Sequence, residues 1–200
     1  MELRKKREPD TFHYITSVTF NRAPVFRGEK ACEIFVEQLG EVREKFPYKL
    51  IGYVVMPDHF HLIVNLKDDD VSKYLLRLRG LSARKIIAWL KDGNYVSSLE
   101  KLKLRFPQKR QHRYAVWQKK PMVIELYSHK FLRQKLNYIH LNPVRAGLCK
   151  HPAEWKWSSS RAYLPHKSGE VPIEIDWQAF WKEEELEDLI NSESKDDSND

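Results

Sequence analysis

Two histidines separated by a single residue, His59-Phe60-His61, follow the apolar run from Ile51 to Met56. On an extended segment both imidazoles project from one face and Phe60 from the other, so both can reach a single ion. Neutral imidazole is a common ligand of divalent metals, and two on one strand make half a site. A second group of reactive side chains lies far along the chain, in Tyr138-Ile-His-Leu-Asn142-Pro143. Four residues apart on a helix, Tyr138 and Asn142 share a face. The chemistry that suits these types is phosphoryl transfer. A divalent ion on His59 and His61, completed by the Asn142 amide oxygen, would polarise a phosphate, and the Tyr138 hydroxyl would attack it to form a covalent intermediate. Blander roles stand beside these. Strand histidines also hydrogen-bond within sheets, a tyrosine also packs beside a core, and Asn-Pro is an ordinary helix exit.

The elements that must position these residues follow from periodicity and punctuation. Residues 13–20 read as a first strand, closed by Asn21-Arg22-Ala23-Pro24. Residues 29–46 carry Ala31, Ile34, Phe35, Leu39 and Val42 at helical spacing. Residues 50–56 form a β-branched strand, Pro57-Asp58 turns the chain, and His59–Leu66 returns as its hairpin partner. Residues 67–70 make a turn or cap before a helix over 71–90, which Gly93-Asn94 ends. Residues 114–118 read as a short strand, and 128–141 as a helix capped by Ser128, with Pro143 and Gly147 at its exit. On that helix Leu132, Leu136 and Ile139 form the core stripe, and Tyr138 lies off it beside Phe131, Lys135 and Asn142. The order β-α-β-β-α-β plus a following helix predicts an α+β, ferredoxin-like split βαβ fold: an antiparallel sheet with helices on one face and the tyrosine helix near the C-terminal end.

Composition narrows the function classes. The 200 residues are 42% hydrophobic and 12% aromatic, which suits one globular domain with appendages. Two cysteines, Cys32 and Cys149, give neither a disulfide framework nor a thiolate metal motif. No segment resembles a signal peptide and no apolar run is long enough to span a membrane, so the expectation is a cytoplasmic protein without a membrane partner. Net charge is +7, but residues 174–200 hold eleven acids and two bases, which leaves +16 on residues 1–173. An excess of that size suits a polyanion, because neutralising phosphates releases counterions. Three regions result: a basic arm over 1–11, a body over 12–173 with a basic insertion at about 93–113, and an acidic tail over 174–200 whose end is expected to be disordered.

The motifs carry a family resemblance. Met56-Pro-Asp-His-Phe-His-Leu-Ile-Val64 resembles the HUH signature (His, bulky hydrophobic, His) of single-tyrosine transposases. Asn137-Tyr-Ile-His-Leu-Asn-Pro-Val-Arg-Ala-Gly-Leu148 resembles the tyrosine helix of REP-associated tyrosine transposases, and Trp117-Gln118 and Trp157-Ser-Ser-Ser-Arg-Ala-Tyr163 resemble that family's flanking segments. The resemblance spans about residues 12–165. It implies that Tyr138 is the nucleophile, that His59, His61 and Asn142 bind Mg²⁺ or Mn²⁺, and that single-stranded DNA is cut and rejoined beside hairpins of palindromic repeats through a 5′-phosphotyrosine. Relatives include dimers with exchanged active sites as well as monomers, so a homodimer is one expected state. One departure stands out: Met122-Val-Ile-Glu-Leu126 occupies the place where many relatives carry an aromatic-acidic-His stretch.

Phosphate contacts are expected from Arg4, Lys5, Lys6 and Arg7 of the arm, from Arg22, from Lys119 and Lys120, and from Arg145. Two rival readings share these residues. One is a domesticated, non-catalytic protein that grips hairpin DNA or RNA. The other is a hydrolase in which metal-activated water, rather than tyrosine, attacks.

Overall fold

The computed structural model describes residues 11–66, 70–105, 113–163 and 171–176. Among these residues, four strands and four α-helices follow one another as β1 (Phe12–Val18), α1 (Glu29–Lys45), β2 (Tyr48–Met56), β3 (His59–Leu66), α2 (Val71–Asp92), α3 (Val96–Lys101), β4 (Met122–Leu126) and α4 (His129–Arg145). The sheet order is β2-β3-β1-β4 and every pairing is antiparallel. This is the expected split βαβ plan.

Alternation along β3 sets the two faces. Phe60 lies 4.6 Å, centroid to centroid, from Phe35 of α1, so the face bearing Phe60 and Leu62 is covered by α1 and α2. His59 and His61 point to the other face, the one α4 crosses. Helices therefore lie on both faces, not on one as the sequence reading expected: the crossover pair covers one, and the tyrosine helix, which follows the last strand, covers the other. A bulge in β2 between Leu50 and Gly52 turns Gly52 toward α4, where a Cβ would sit 2.5 Å from Leu136 Cδ1 and 3.0 Å from Ile139 Cδ1. The glycine is what lets α4 approach the sheet this closely.

Local signals explain the helix boundaries. Asp70 caps α2 by accepting from the Lys73 amide, and Ser128 caps α4 by accepting from the Phe131 amide. α4 runs through Pro143 to Arg145, one turn beyond the residues read as helical from sequence. Proline in the last turn forfeits one ladder bond and no more, and the chain leaves at Gly147, whose φ is +67°. Asn142 thus stays in helical register with Tyr138.

The fourth strand departs from the sequence reading. Residues 114–118 form only isolated bridges, because their backbone groups are divided between two partners: the Ala115 amide donates to Leu102, while Val116 O accepts from Phe20 and the Gln118 amide donates to Val18. The strand that pairs with β1 is Met122–Leu126, an edge strand with Met122 and Val123 exposed, which hid its period-two signal.

The outer edge of β2 is covered by the C-terminal segment. Val55 donates to Trp157 O, Ser159 donates to Tyr53 O, and Tyr163 Oη donates to Ile51 O. Further along, Asp176 pairs with Arg43 and accepts from the Leu50 amide at 2.7 Å, so the first residues of the acidic stretch dock on the sheet. Among the described residues no helix is long and apolar enough to cross a membrane.

Candidate active site

The turn Pro57-Asp58 and the start of β3 place His59 and His61 side by side on the α4 face, ring centroids 4.8 Å apart. Tyr138 arrives from α4, its ring 5.7 Å from that of His61 and in edge-to-face contact. Asn142, one turn further on, brings Nδ2 to 3.3 Å from His61 Nε2. Asn142 and His61, 81 positions apart in sequence, thus converge on one side of the sheet.

Both histidines have an oriented ring. Asp58 Oδ1 lies 2.6 Å from His59 Nδ1, so Nδ1–H donates to the carboxylate and the ring is held with Nε2 on the far side. Asp58 also accepts from Arg22 Nη1 at 2.9 Å. Burial by itself raises the Asp58 pKa, but the hydrogen bonds from His59 and Arg22 outweigh it and hold the carboxyl below its ordinary range. His61 Nδ1 lies 2.7 Å from Thr16 Oγ1 and 2.9 Å from Tyr14 Oη. With the Asn142 amide donating toward Nε2, the proton sits on Nδ1 and points to these hydroxyls. Burial, with help from His59 and Lys135, pushes the His61 pKa down to about 3, so the ring is neutral at physiological pH.

Such rings, each backed by an acceptor at Nδ1, present Nε2 as ligands do in metal centres. Among the described residues no three His, Cys, Asp or Glu side chains converge as a metal cluster. A metal here would need a neutral oxygen as third protein donor. A half-turn of the Asn142 amide supplies one at the same place. The residues fit a divalent ion with open positions.

Around the phenol the charge is positive. Lys135 Nζ lies 5.7 Å and the Arg145 guanidinium carbon 5.6 Å from the centre of the Tyr138 ring, which is 40% exposed. Of the expected phosphate contacts, Arg145 and Arg22 border the site, Arg22 through Asp58. Lys119 and Lys120 are exposed just after Gln118, whose amide bonds the end of β1. Arg4, Lys5, Lys6 and Arg7 lie outside the described residues. Sequence reading missed Tyr14, Thr16 and Asp58 as supports of the histidines. Tyr14 and Thr16 share a face of β1, but only the register Thr16↔His61 shows which imidazole they serve.

An antiparallel split βαβ sheet, with a histidine pair on an inner strand and a tyrosine on the facing helix, defines the class of site: two imidazoles beside an exposed phenol. The sequence model of the family described as transposase IS200 like matches residues 11–141, and the chain belongs to that family. A Haemophilus influenzae protein described as a REP-associated tyrosine transposase is 29% identical over 118 residues, 58% of this chain. The match spans 61% of that relative's length. Among solved structures, a REP-associated tyrosine transposase bound to a REP hairpin superposes with a TM-score of 0.58 at 17% identity, covering 88% of this chain and 92% of that one. A transposase from Deinococcus radiodurans R1 superposes with a TM-score of 0.45 at 18% identity, over 70% of this chain and 95% of that one.

Proposed function

We propose that this transposase cleaves and rejoins single-stranded DNA beside hairpins of palindromic repeats, with Tyr138 as nucleophile. The observation that carries the reading is the meeting of Tyr138 with His61, 5.7 Å between ring centroids, at a face edged by Lys135 and Arg145. Tyr138 Oη forms a bond to phosphorus and the bond to the 3′ oxygen breaks, leaving a 3′ hydroxyl and a 5′-phosphotyrosine. Attack by a free 3′ hydroxyl reverses the step, and no nucleotide triphosphate is consumed. Lys135 and Arg145 neutralise the phosphate as it enters and the charge on its oxygens during transfer. Asp58, Tyr14 and Thr16 fix the two imidazoles.

His59, His61 and Asn142 would hold Mg²⁺ or Mn²⁺, which when bound supplies Lewis-acid polarisation of the phosphate. Two imidazole donors favour Mn²⁺ over Mg²⁺, which prefers oxygen ligands. The nucleophile and all three ligands come from one chain, so a single copy carries every part of the site, whether the protein acts alone or as a homodimer. The DNA of the nucleoid is its place of work.

Labelled hairpin oligonucleotides with Mn²⁺, resolved on a denaturing gel beside Tyr138→Phe, test the reading. A covalent band lost in the variant and removed by EDTA is expected. Binding without any adduct would favour a non-catalytic hairpin binder, and cleavage by both proteins without an adduct would favour attack by water.

A further inference from the structure

A second concavity lies at the same end of the sheet, around the corner from the histidines. β3 runs away from His59, and α2 runs back, so the C-terminal turn of α2 returns to the His59 end. There it meets the loop that leaves β1. Between them is a cavity of about 350 Å³ lined by Pro24, Arg27, Trp89, Tyr95, Ser98 and Lys101 among others, with no carboxylate in its lining. Its volume is near the lower limit of small-molecule pockets, about 300–1,000 Å³, and far too small for a duplex.

Its aromatic wall is held in place. Trp89 and Tyr95 sit 5.1 Å apart, and Tyr95 remains 46% exposed. The chain reaches Tyr95 through Gly93 and Asn94, the latter at φ +53°. A Cβ on Gly93 would overlap the Tyr95 ring, so the glycine leaves the ring its seat. An exposed aromatic fixed in this way offers a flat stacking surface at little entropic cost.

The cavity is also tied to the candidate active site through one of the loops that line it. Thr19 Oγ1 donates to Asp58 O and to Ala23 O, Phe26 donates to Pro57 O, and Arg22 grips Asp58. The loop that supplies Pro24 and Arg27 is therefore bonded to the turn that presents His59. The basic insertion is rooted nearby: Leu104 donates to Arg113 O and Ala115 to Leu102 O, in the strip that continues to the end of β1.

Resting on the reading of the chain as a single-strand DNA transposase, we propose that this cavity takes one unpaired base flanking the scissile phosphate. The base stacks on Tyr95 beside Trp89, and Arg27 and Lys101 meet the phosphates on either side of it. An aromatic platform between cations is how proteins grip single strands. The basic insertion then has a purpose, to carry α3 and Lys101 over the pocket.

The test uses a hairpin selected from a pool with randomised single-stranded flanks by retention on the full-length wild-type protein. Copies with one abasic site at each flank position are titrated against wild type, Tyr95→Ala and Tyr95→Phe, and adduct formation is followed in parallel. For wild type, one abasic position should weaken binding roughly ten-fold, the scale of one lost base–aromatic stack. Tyr95→Ala should lose as much on the intact hairpin and be indifferent to that abasic position, while Tyr95→Phe behaves as wild type. If wild type forms adduct but Tyr95→Ala binds equally well, or keeps the full abasic penalty, the pocket assignment is overturned and the transposase reading stands. If wild type retains no hairpin, both are overturned.

Discussion

Asp58 Oδ1 lies 2.6 Å from His59 Nδ1, and its other oxygen accepts from Arg22 at 2.9 Å. One carboxylate therefore orients a candidate ligand and holds a cation at the rim of the site. Replacing it should act on metal affinity before it acts on fold. Outer-shell partners of this kind are worth about 10–100-fold in metal affinity or activity. For Asp58→Ala, the Mn²⁺ concentration giving half-maximal adduct should rise on that scale while the melting curve stays cooperative. An unchanged Mn²⁺ requirement would remove Asp58 from the support of the site.

His61 has two hydroxyls at Nδ1, from Thr16 and Tyr14. Either can accept its proton when the other is gone. Tyr14→Phe and Thr16→Val should each be mild, whereas the double variant leaves a buried N–H without a partner, at a cost of about 1–3 kcal/mol. Urea unfolding of the four proteins measures this directly. Additive single effects would mean that only one hydroxyl serves the ring.

Acid stability follows from two neutral histidines. Burial pushes His140 to about 3, and burial followed by nearby positive charge does the same for His61. Their folded pKa values lie below the unfolded value of about 6.5, so the unfolded chain takes up protons first. Their contribution to stability is complete above about pH 6.5 and is lost as pH falls toward 3, by about 1.4 kcal/mol per pH unit for each ring. His140→Gln should flatten the slope between pH 6 and pH 4 by roughly one proton. An unaltered slope would show that His140 does not titrate on unfolding in this window.

The contact between Gly52 and α4 leaves no room for a methyl group. Gly52→Ala should displace Leu136 and Ile139, at about 1–3 kcal/mol, and carry Tyr138 and Asn142 away from the histidines with the helix. Adduct formation should fall more steeply than stability does. Full activity in a destabilised protein would mean that α4 adjusts without moving its tyrosine.

Assembly of the site within one chain has its own test. Mixing Tyr138→Phe with His61→Ala should restore no adduct, because each chain lacks one part of its own site. Restored activity would reveal exchange of α4 between chains.

The parts legible in the sequence are those encoded by short periods. His59 and His61 share a face because strands repeat every two residues, and Tyr138 and Asn142 share one because helices nearly repeat every four. The β-α-β-β-α-β order was readable for the same reason. What escaped depends on pairing between distant segments. Which imidazole Tyr14 and Thr16 would meet required the β1–β3 register. β4 was missed because an edge strand with Met122 and Val123 exposed shows no burial alternation, while the apolar residues 114–118 imitated a strand. Pro143 suggested a helix end four residues early, since position within the last turn decides whether proline breaks a helix.

Trp157 and Ser159 complete the backbone pairing of β2 at Val55 and Tyr53, and Ser159 Oγ also meets the buried His140 Nε2 at 2.8 Å. During synthesis those residues leave the ribosome after the whole sheet and α4 have emerged. Until then β2 presents an unprotected margin to neighbouring nascent chains, and His140 is buried without its hydroxyl. This later-translated stretch thus acts as a seal on finished work. Nonsense or frameshift products ending before Trp157 should accumulate as insoluble material, even though every residue of the candidate site has already been made.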